Sequence, residues 1–322
     1  MDIYQETMNY LSTLPLIDVW PEILALFTRS ASRKPRHWRL PIVATEAVGG
    51  DLNHVIPAIT AIGCLHISIL LVDDMLDADP RGEHHRLGKS VTANMAAAFQ
   101  AVGLEAIAHS NASPFSKLAA IISLNQMMWT TTLGQYLDVQ IPEDEGSYWY
   151  LVKMKSSPFF GAALQVGALM TEPSDETQAE QIKQIGHLYG EMIQIHDDLS
   201  DTLSTPANPD WILGRMPLPI LYASCVEHTE RERFLQLRNE IPDPGALTEA
   251  QNIIIRSGAV SYCLDQILRK SKNAREILST SKFVNREGID SLLNEIIEPV
   301  KKLFSVTGIV ERDALLELFP FS

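Results

Sequence analysis

Six aspartates of this 322-residue chain fall into two clusters with the same D-D-x-x-D spacing. Each cluster follows a strongly apolar turn, in "SILLVDDMLD" for Asp73, Asp74 and Asp77 and in "IQIHDDLSD" for Asp197, Asp198 and Asp201. On a helix, residues i and i+4 share a face, so the first and last carboxylates of each cluster project together and repel each other. Oxygen donors without histidine or thiolate suit a hard cation such as Mg²⁺, which takes one or two carboxylates, several waters and phosphate oxygens. One such cluster is more simply a solvated helix face, but its recurrence predicts a metal site for a phosphorylated ligand.

Cations that could contact phosphate lie beside apolar helix starts. The chain has 40 acidic and 26 basic residues and a formal net charge of −14, which disfavours nucleic acid and anionic membrane surfaces as partners. An anionic substrate therefore needs local cations, and the candidates are Lys34, Arg36, Arg81, Lys155 and Arg215. Taken singly, each is more simply a surface residue; beside the aspartate clusters they are candidate diphosphate contacts.

Other patterns that could carry chemistry are weaker. The segment "GEHHRLGKS" is similar to a phosphate-binding P-loop, but five residues instead of four separate its glycines and no strand precedes it. Adjacent His84 and His85 point to different helix faces and have no evident third partner for zinc. The three cysteines are far apart in sequence, and the N-terminus lacks the pattern of a signal peptide. A reducing cytoplasm fits best.

The elements that must position these residues are helices. Apolar residues recur at spacings of three and four nearly throughout, with no convincing strand alternation. Clusters of Pro, Gly, Asn and Ser mark the breaks, and no linker separates two cores, so one all-α domain spanning 1–322 is expected. The segment Val55 to Val72 carries no formal charge over eighteen residues, the lower limit for a membrane span. Because it contains Pro57 and His66 and runs into Asp73, a buried central helix is favoured over a span, and the chain is not expected to be an integral membrane protein.

Several motifs occur in a fixed order between Lys34 and Pro219. They are "SRKPRHWRLPIVATEAVGGD", His66, "DDMLD" with Arg81-Gly82, "GQYLDV", Lys155-Ser156, and "IQIHDDLSD" followed by Gly214-Arg215 and "PLPILYA". Together they resemble the trans-prenyltransferase family, the polyprenyl diphosphate synthases of the class I isoprenoid synthase fold, such as the geranylgeranyl and farnesyl diphosphate synthases. The resemblance implies an all-α helical bundle around a central cavity, and a homodimer.

The resemblance also implies an activity, a Mg²⁺-dependent head-to-tail condensation of isopentenyl diphosphate with an allylic prenyl diphosphate, with three Mg²⁺ ions bound together with the substrate. Asp73, Asp77 and Asp197 would be direct metal ligands, and Asp74, Asp198 and Asp201 would act through water or hydrogen bonds. Lys155 and Arg215 would hold the allylic diphosphate. Ser156 and Gln194 would offer dipoles to the carbocation. Isopentenyl diphosphate would be bound by Lys34, His66 and Arg81, and Arg36 and His37 would also be substrate-binding residues.

The chain departs from the family pattern at named positions. His37 stands where the motif has arginine, and Pro80 stands at the first arginine of Arg-Arg-Gly. Ser156 replaces threonine and Arg215 replaces lysine. Two other interpretations stay open. A class I terpene cyclase ionises the same substrate but usually carries an Asn/Ser/Glu second metal motif. A catalytically weak partner subunit of a prenyl synthase would suit the lost arginines.

Product length depends on the turns before the first cluster. One helical turn is about 5.4 Å long, similar to an isoprene unit, so a chain growing beside this helix first meets Ser68 and Ile69. Neither is aromatic, and within the family an aromatic residue there favours shorter products. Leu65, or Phe159 and Phe160 from a facing helix, could form the next floor. We therefore expect C20 as the main product, with C25 or longer as the alternative.

Overall fold

Helices make up the regular structure of the described chain. The computed structural model describes residues 2–138, 141–171 and 174–307. Within those ranges there are α-helices and short 3₁₀ turns but no strand. The all-α prediction is therefore confirmed.

Sixteen α-helices are numbered here in chain order within the described residues. Their bounds are α1 Ile3–Ser12, α2 Pro21–Ser32, α3 Leu40–Ala47, α4 Ile56–Leu76, α5 His84–Leu87, α6 Lys89–Ala108, α7 Pro114–Asp138, α8 Glu145–Lys155, α9 Ser157–Leu169, α10 Glu176–Thr202, α11 Pro209–Ile212, α12 Leu218–Cys225, α13 Arg231–Arg238, α14 Pro244–Arg256, α15 Ala259–Thr280 and α16 Glu287–Thr307. Two 3₁₀ turns, Arg36–Arg39 and Leu52–His54, flank α3.

The described residues cluster into two compact units. The first unit comprises residues 2–138, 151–171, 174–190 and 276–288, and the second comprises residues 141–150, 191–275 and 289–307. Asp73 and Lys155 belong to the first unit, and Asp197 belongs to the second. A single domain spanning 1–322 stays a prediction.

α4 forms the buried centre of the first unit. Pro57 in its first turn pre-sets the helical backbone angle and costs no internal hydrogen bond. Ala58 through Leu65 are fully buried, so the helix is apolar on every side. α6 packs closely on it, because a Cβ added at Gly103 would lie 3.1 Å from the Leu65 side chain and 3.2 Å from the Ala61 carbonyl. This packing fixes the helix that carries the first aspartate cluster.

Two described helices, α4 and α6, are long and apolar enough to cross a membrane by length and composition. The core helices of soluble proteins pass the same test, so this is weak evidence for a span. The stretch Ala58 to Leu65 of α4 is buried within its unit, which agrees with the expected central helix.

The second unit has a core of its own. Trp211, Ile220, Phe234 and Ile253 are buried together in it. The Trp211 indole Nε1 donates to the carbonyl of Thr202 at 3.1 Å. This bond ties the last residue of α10, close to the second aspartate cluster, to the core.

Candidate active site

The first aspartate cluster lies at the C-terminal end of α4. Asp73 and Asp74 belong to its last turn and Asp77 is its C-cap, whose backbone N–H donates to the Asp73 carbonyl at 2.9 Å. Beyond the cap, Asp79 is held by Arg81, whose Nη2 donates to Asp79 Oδ2 at 2.8 Å. Carboxylates therefore crowd one end of a buried helix.

The crowding shows in the electrostatics of the cluster. Burial raises the pKa of Asp74 to about 6, and the neighbouring carboxylates of Asp79, Asp73 and Asp77 add to the rise. The hydrogen bonds from Arg81 lower the pKa of Asp79 to about 2. Burial and like charges thus both raise the pKa of Asp74, and a bound cation would relieve the repulsion between the carboxylates.

Lys155, the last residue of α8, neutralises part of this charge. Its Nζ donates to Asp138 Oδ2 at 2.6 Å and lies 3.3 Å from Asp73 Oδ1. Burial lowers the pKa of Lys155, but Asp73 and Asp138 outweigh that effect and hold the pKa above its ordinary value. The ammonium is therefore charged and lies beside an expected metal ligand.

Gln135 and Asp138 complete this contact, and the sequence analysis assigned no role to either residue. Gln135 Nε2 donates to Asp73 Oδ1 at 2.8 Å, and Asp138 pairs with Lys155. Both lie in "GQYLDV" on the last turns of α7, and Val139 of that motif lies outside the described residues. The available signal was the i, i+3 spacing of an amide and a carboxylate on one helix face.

His66 lies two turns before Asp73 on the same side of α4, among aromatic rings. Its Nδ1 accepts a hydrogen bond from Trp38 Nε1 at 3.1 Å, and its ring centroid is 5.1 Å from that of Phe159. The His37 ring lies 6.3 Å away and stacks edge-on against Phe160 at 5.0 Å. Burial, reinforced by His37, lowers the pKa of His66 to about 4, and burial beside Arg36 also lowers that of His37. Both rings are neutral at pH 7.

The predicted isopentenyl diphosphate contacts Lys34, Arg36 and Arg81 lie on segments between helices or in short turns. Lys34 has a positive φ of 51° and its Nζ lies 3.7 Å from Asp2 Oδ2. Arg36 begins the 3₁₀ turn Arg36–Arg39. The Arg81 side chain is 89% exposed beside Asp79. These cations are accessible from solvent, in contrast to the buried Lys155.

In the second cluster, on α10, Asp198 differs from Asp197 and Asp201 in its burial and its hydrogen bonds. Asp198 is buried and accepts three hydrogen bonds, from Tyr148 Oη at 2.7 Å, Gln194 Nε2 at 2.7 Å and the Leu218 backbone N–H at 2.8 Å. Burial raises the pKa of Asp198 to about 6, although these bonds oppose the rise. This aspartate is thus held within the core of the second unit.

Asp197 and Asp201, one turn apart, project from another side of α10. Burial and the neighbouring Asp201 carboxylate raise the pKa of Asp197, while His196 opposes the rise. Like charges at this spacing destabilise each other. The i, i+4 pair is therefore the part of the second cluster that a cation would stabilise.

The remaining predicted residues have defined places. Ser156 is the N-cap of α9 without a side-chain capping bond. The Gln194 amide donates to Asp198. Arg215 follows Gly214, which has a φ of +71°, and its Nη1 lies 3.5 Å from Asp210 Oδ1. Arg215 is thus anchored in the loop before α12.

The donor chemistry fits a hard divalent cation. Carboxylate oxygens make up both clusters, and burial, together with the neighbouring carboxylates, raises the pKa of Asp74 and of Asp197. Within the described ranges, no group of three or more His, Cys, Asp or Glu side chains converges as a ready-made metal cage. Mg²⁺ does not need such a cage, because it usually combines one or two carboxylates with water and substrate phosphate oxygens.

Ser68 lies on α4 between one and two helical turns before Asp73. Ser68 is fully buried, and its hydroxyl accepts a hydrogen bond from Gln100 Nε2 of α6 at 3.2 Å. Two residues correspond to about 200° around a helix, so Ser68 and His66 lie on different faces. The ring of Phe159, a candidate for the next floor, packs on His66, and the identity of the floor residue stays a prediction. The residue opposite Ser68 is Gln100.

A cavity of about 260 Å³ lies elsewhere in the first unit. Its lining includes Tyr10, His54, Ile56 and His109, at the N-terminal end of α4. Ile56 and Asp73 are seventeen residues apart, or about 25 Å along the helix. This cavity is therefore separate from the carboxylate cluster.

Comparisons with known proteins identify the family of this chain. The model of the family described as Polyprenyl synthetase matches residues 30–254, well over half of the chain. The chain belongs to the polyprenyl synthetase family. The matched region contains both aspartate clusters and the Lys155 contact.

Proteins related to this chain in sequence or in structure support the same family assignment. A short chain isoprenyl diphosphate synthase of Methanothermobacter thermautotrophicus is 27% identical, with 92% of this chain and 98% of that protein covered. A geranylgeranyl pyrophosphate synthase of Geoglobus acetivorans is 29% identical over 78% of this chain and 79% of that protein. The crystal structure of geranylgeranyl pyrophosphate synthetase from Pyrococcus horikoshii has the same fold, with a TM-score of 0.77, 20% identity, and 92% and 95% of the two chains covered. The protein is thus a trans-prenyltransferase of the prenyl diphosphate synthase class.

Proposed function

We propose that this prenyl diphosphate synthase condenses isopentenyl diphosphate head to tail with an allylic prenyl diphosphate in a Mg²⁺-dependent reaction, with C20 as the main product. The observation that carries the proposal is the contact of charged Lys155 with Asp73 at the end of buried α4. It puts a cation and crowded carboxylates at the end of a helix whose buried stretch, Ala58 to Leu65, is almost entirely apolar. A diphosphate leaving group needs the first two, and a carbocation needs the third.

The first chemical step is ionisation of the allylic substrate. Its C–O bond breaks and the electron pair leaves with the diphosphate, whose growing charge Lys155 and Arg215 stabilise. Asp73, Asp77 and Asp197 are the proposed direct ligands of Mg²⁺, with Asp74, Asp198 and Asp201 in supporting roles. Bound Mg²⁺ supplies further charge stabilisation to the departing diphosphate.

The carbocation that remains must be kept from water. α4 and α9 are suited to this, because every residue of α9 from Ser157 to Leu169 is buried. Ser156 and Gln194 are the proposed dipoles toward the positive carbon. The bond from the Gln194 amide to Asp198 orients this side chain, whose carbonyl oxygen is the negative end of the amide dipole.

The second step joins isopentenyl diphosphate to the cation. The double bond of isopentenyl diphosphate attacks, a carbon–carbon bond forms, and loss of a proton restores a double bond. Lys34, Arg36 and Arg81 are the proposed cations for its diphosphate. His37 and His66 are neutral, as burial lowers the pKa of each, so they would act as hydrogen-bonding groups and not as charges.

The α4 wall supports C20 as the product. The first turn below the cluster offers the small Ser68 opposite Gln100, so no aromatic ring stops growth there. One turn further from the cluster, Leu65 packs against Gly103 of α6. The two helices are so close there that no side chain fits between them. Growth is thus allowed past Ser68 and stopped near Leu65.

We also propose that the enzyme is a cytoplasmic homodimer. Support comes from an apolar stripe on α7, where large side chains are exposed at helical spacing: Phe115, Leu118, Ile122, Trp129 and Tyr136. A contiguous apolar surface of this kind marks an interaction site. Light scattering after size exclusion should give twice the chain mass, and Trp129→Glu should lower it; a monomer at micromolar concentration would contradict the proposal.

Product analysis tests the reaction. The protein is incubated with Mg²⁺, isopentenyl diphosphate and C5, C10 or C15 allylic diphosphates in turn, and the products are weighed by mass spectrometry. A C20 diphosphate is expected, with Lys155→Ala as the impaired control. Hydrocarbon formed without isopentenyl diphosphate would instead identify a terpene cyclase. No turnover by a folded protein would identify a weak partner subunit.

A further inference from the structure

The end of α7 forms a socket for Lys155. The two backbones come so close that a Cβ added at Gly134 would lie 2.3 Å from the Lys155 nitrogen and 2.4 Å from its Cα. No other residue type fits at that approach. One turn further along α7, Asp138 Oδ2 accepts the hydrogen bond from Lys155 Nζ at 2.6 Å. The glycine therefore brings the carboxylate within reach of the ammonium.

Gln135 occupies the other side of the socket. It donates to Asp73 Oδ1 at 2.8 Å, the same oxygen that Lys155 Nζ approaches at 3.3 Å. Lys155 thus has two acidic partners, of which Asp138 is the nearer. The side chains of Lys155 and Asp138 are only 21% and 18% exposed, so neither charge can be left alone without a large desolvation cost.

We infer that Asp138 is a positioning residue for diphosphate recognition. It holds the Lys155 ammonium by a charge-assisted bond while that ammonium exchanges Asp73 for a diphosphate oxygen of the substrate. A lysine side chain is flexible, and Asp138 fixes it before the substrate arrives. The inference rests on the proposed function, in which Lys155 binds the allylic diphosphate.

The experiment uses the full chain and four variants. They are Asp138→Asn, Lys155→Ala, the double variant of these two, and Asp265→Asn as a matched control, since Asp265 pairs with Arg269 on the exposed face of α15. The measurements are the affinities for Mg²⁺ alone and for inorganic diphosphate with Mg²⁺, both by calorimetry, the KM of each substrate, kcat and Tm.

Asp138→Asn should weaken inorganic diphosphate binding and raise the allylic KM, each about tenfold, the size expected for one hydrogen bond to a charged group. The KM of isopentenyl diphosphate and the properties of Asp265→Asn should stay within about twofold of wild type. In the Lys155→Ala background, Asp138→Asn should have no further effect, because the carboxylate acts through the lysine.

Independent, additive effects of the two substitutions would overturn the inference, as would an equal rise in both KM values or unchanged kinetics. Loss of affinity for Mg²⁺ alone in Asp138→Asn would overturn it in favour of a metal ligand. Failure of the proposed function looks different, because the wild-type protein would then form no prenyl diphosphate. The calorimetry with inorganic diphosphate would still decide whether Asp138 acts through Lys155.

Discussion

His66 should make the stability of the protein depend on pH, and His66→Asn should remove that dependence. In the folded chain the imidazole Nδ1 accepts a hydrogen bond from Trp38 Nε1. Protonation of Nδ1 would remove this acceptor and leave two N–H groups facing each other. Burial is the larger cause that lowers the pKa of His66 to about 4, and His37 adds to it. Folding and protonation of this ring therefore compete.

The sign and size follow from linkage. The unfolded imidazole has a pKa of about 6.5 and the folded one a pKa of about 4, so the unfolded state takes up the proton first. The contribution of neutral His66 is fully present above pH 6.5 and is lost as the pH falls toward 4. The full difference corresponds to about 3 kcal/mol, and about 2 kcal/mol of it is lost between pH 7 and pH 5.

The assay compares wild type with His66→Asn by urea unfolding at pH 7 and pH 5, followed by tryptophan fluorescence. Asparagine can accept the Trp38 bond through its amide oxygen but does not titrate. All other ionisable groups are common to both proteins. Wild type should lose about 2 kcal/mol more than the variant. Equal losses in the two proteins would refute the reasoning.

Three further predictions concern turnover. Asp73→Ala or Asp197→Ala should lower kcat by orders of magnitude, and EDTA should abolish activity; turnover in excess EDTA would reject the metal assignment. Lys155→Ala should raise the KM of the allylic substrate more than that of isopentenyl diphosphate, and His66→Ala should do the reverse, which separate titration of each substrate will show; equal changes would reject these roles. Ser68→Phe should shorten the product to C15 or less in an active, folded enzyme, and an unchanged mass spectrum would place the growing chain elsewhere.

The helical fold and the local geometry of the clusters could be predicted, because both depend on short-range periodicity. The charge-free segment predicted as a buried helix runs from the N-cap Val55 into α4, whose residues Ala58 to Leu65 are buried. The pairing of Asp73 with Asp77 and of Asp197 with Asp201 needs only the helical repeat. Such features are readable from a few consecutive residues.

Contacts between distant segments could not be predicted. The Asp73 carboxylate is met by Gln135, sixty-two residues away, and by Lys155 on yet another helix. The sequence marked "GQYLDV" as a motif but gave no reason for it; the close backbone approach at Gly134 supplies that reason. The floor of the product pocket stays a prediction, because helical rotation alone puts Ser68 and His66, which contacts Phe159, on different faces and does not show which residue meets the product.

The two clusters share one spacing but use it differently. In each, the first and last aspartates share a helix face, and the second points about 100° away. On α10 that direction leads into the core, where Asp198 receives three hydrogen bonds that bind α10 to α8 and to the start of α12. On α4 the second aspartate, Asp74, points toward Asp79 and its partner Arg81. Asp74 is crowded there, and its pKa is raised. The repeated motif thus combines an i, i+4 pair, proposed to bind metal, with a middle residue whose surroundings are set by the packing of each helix.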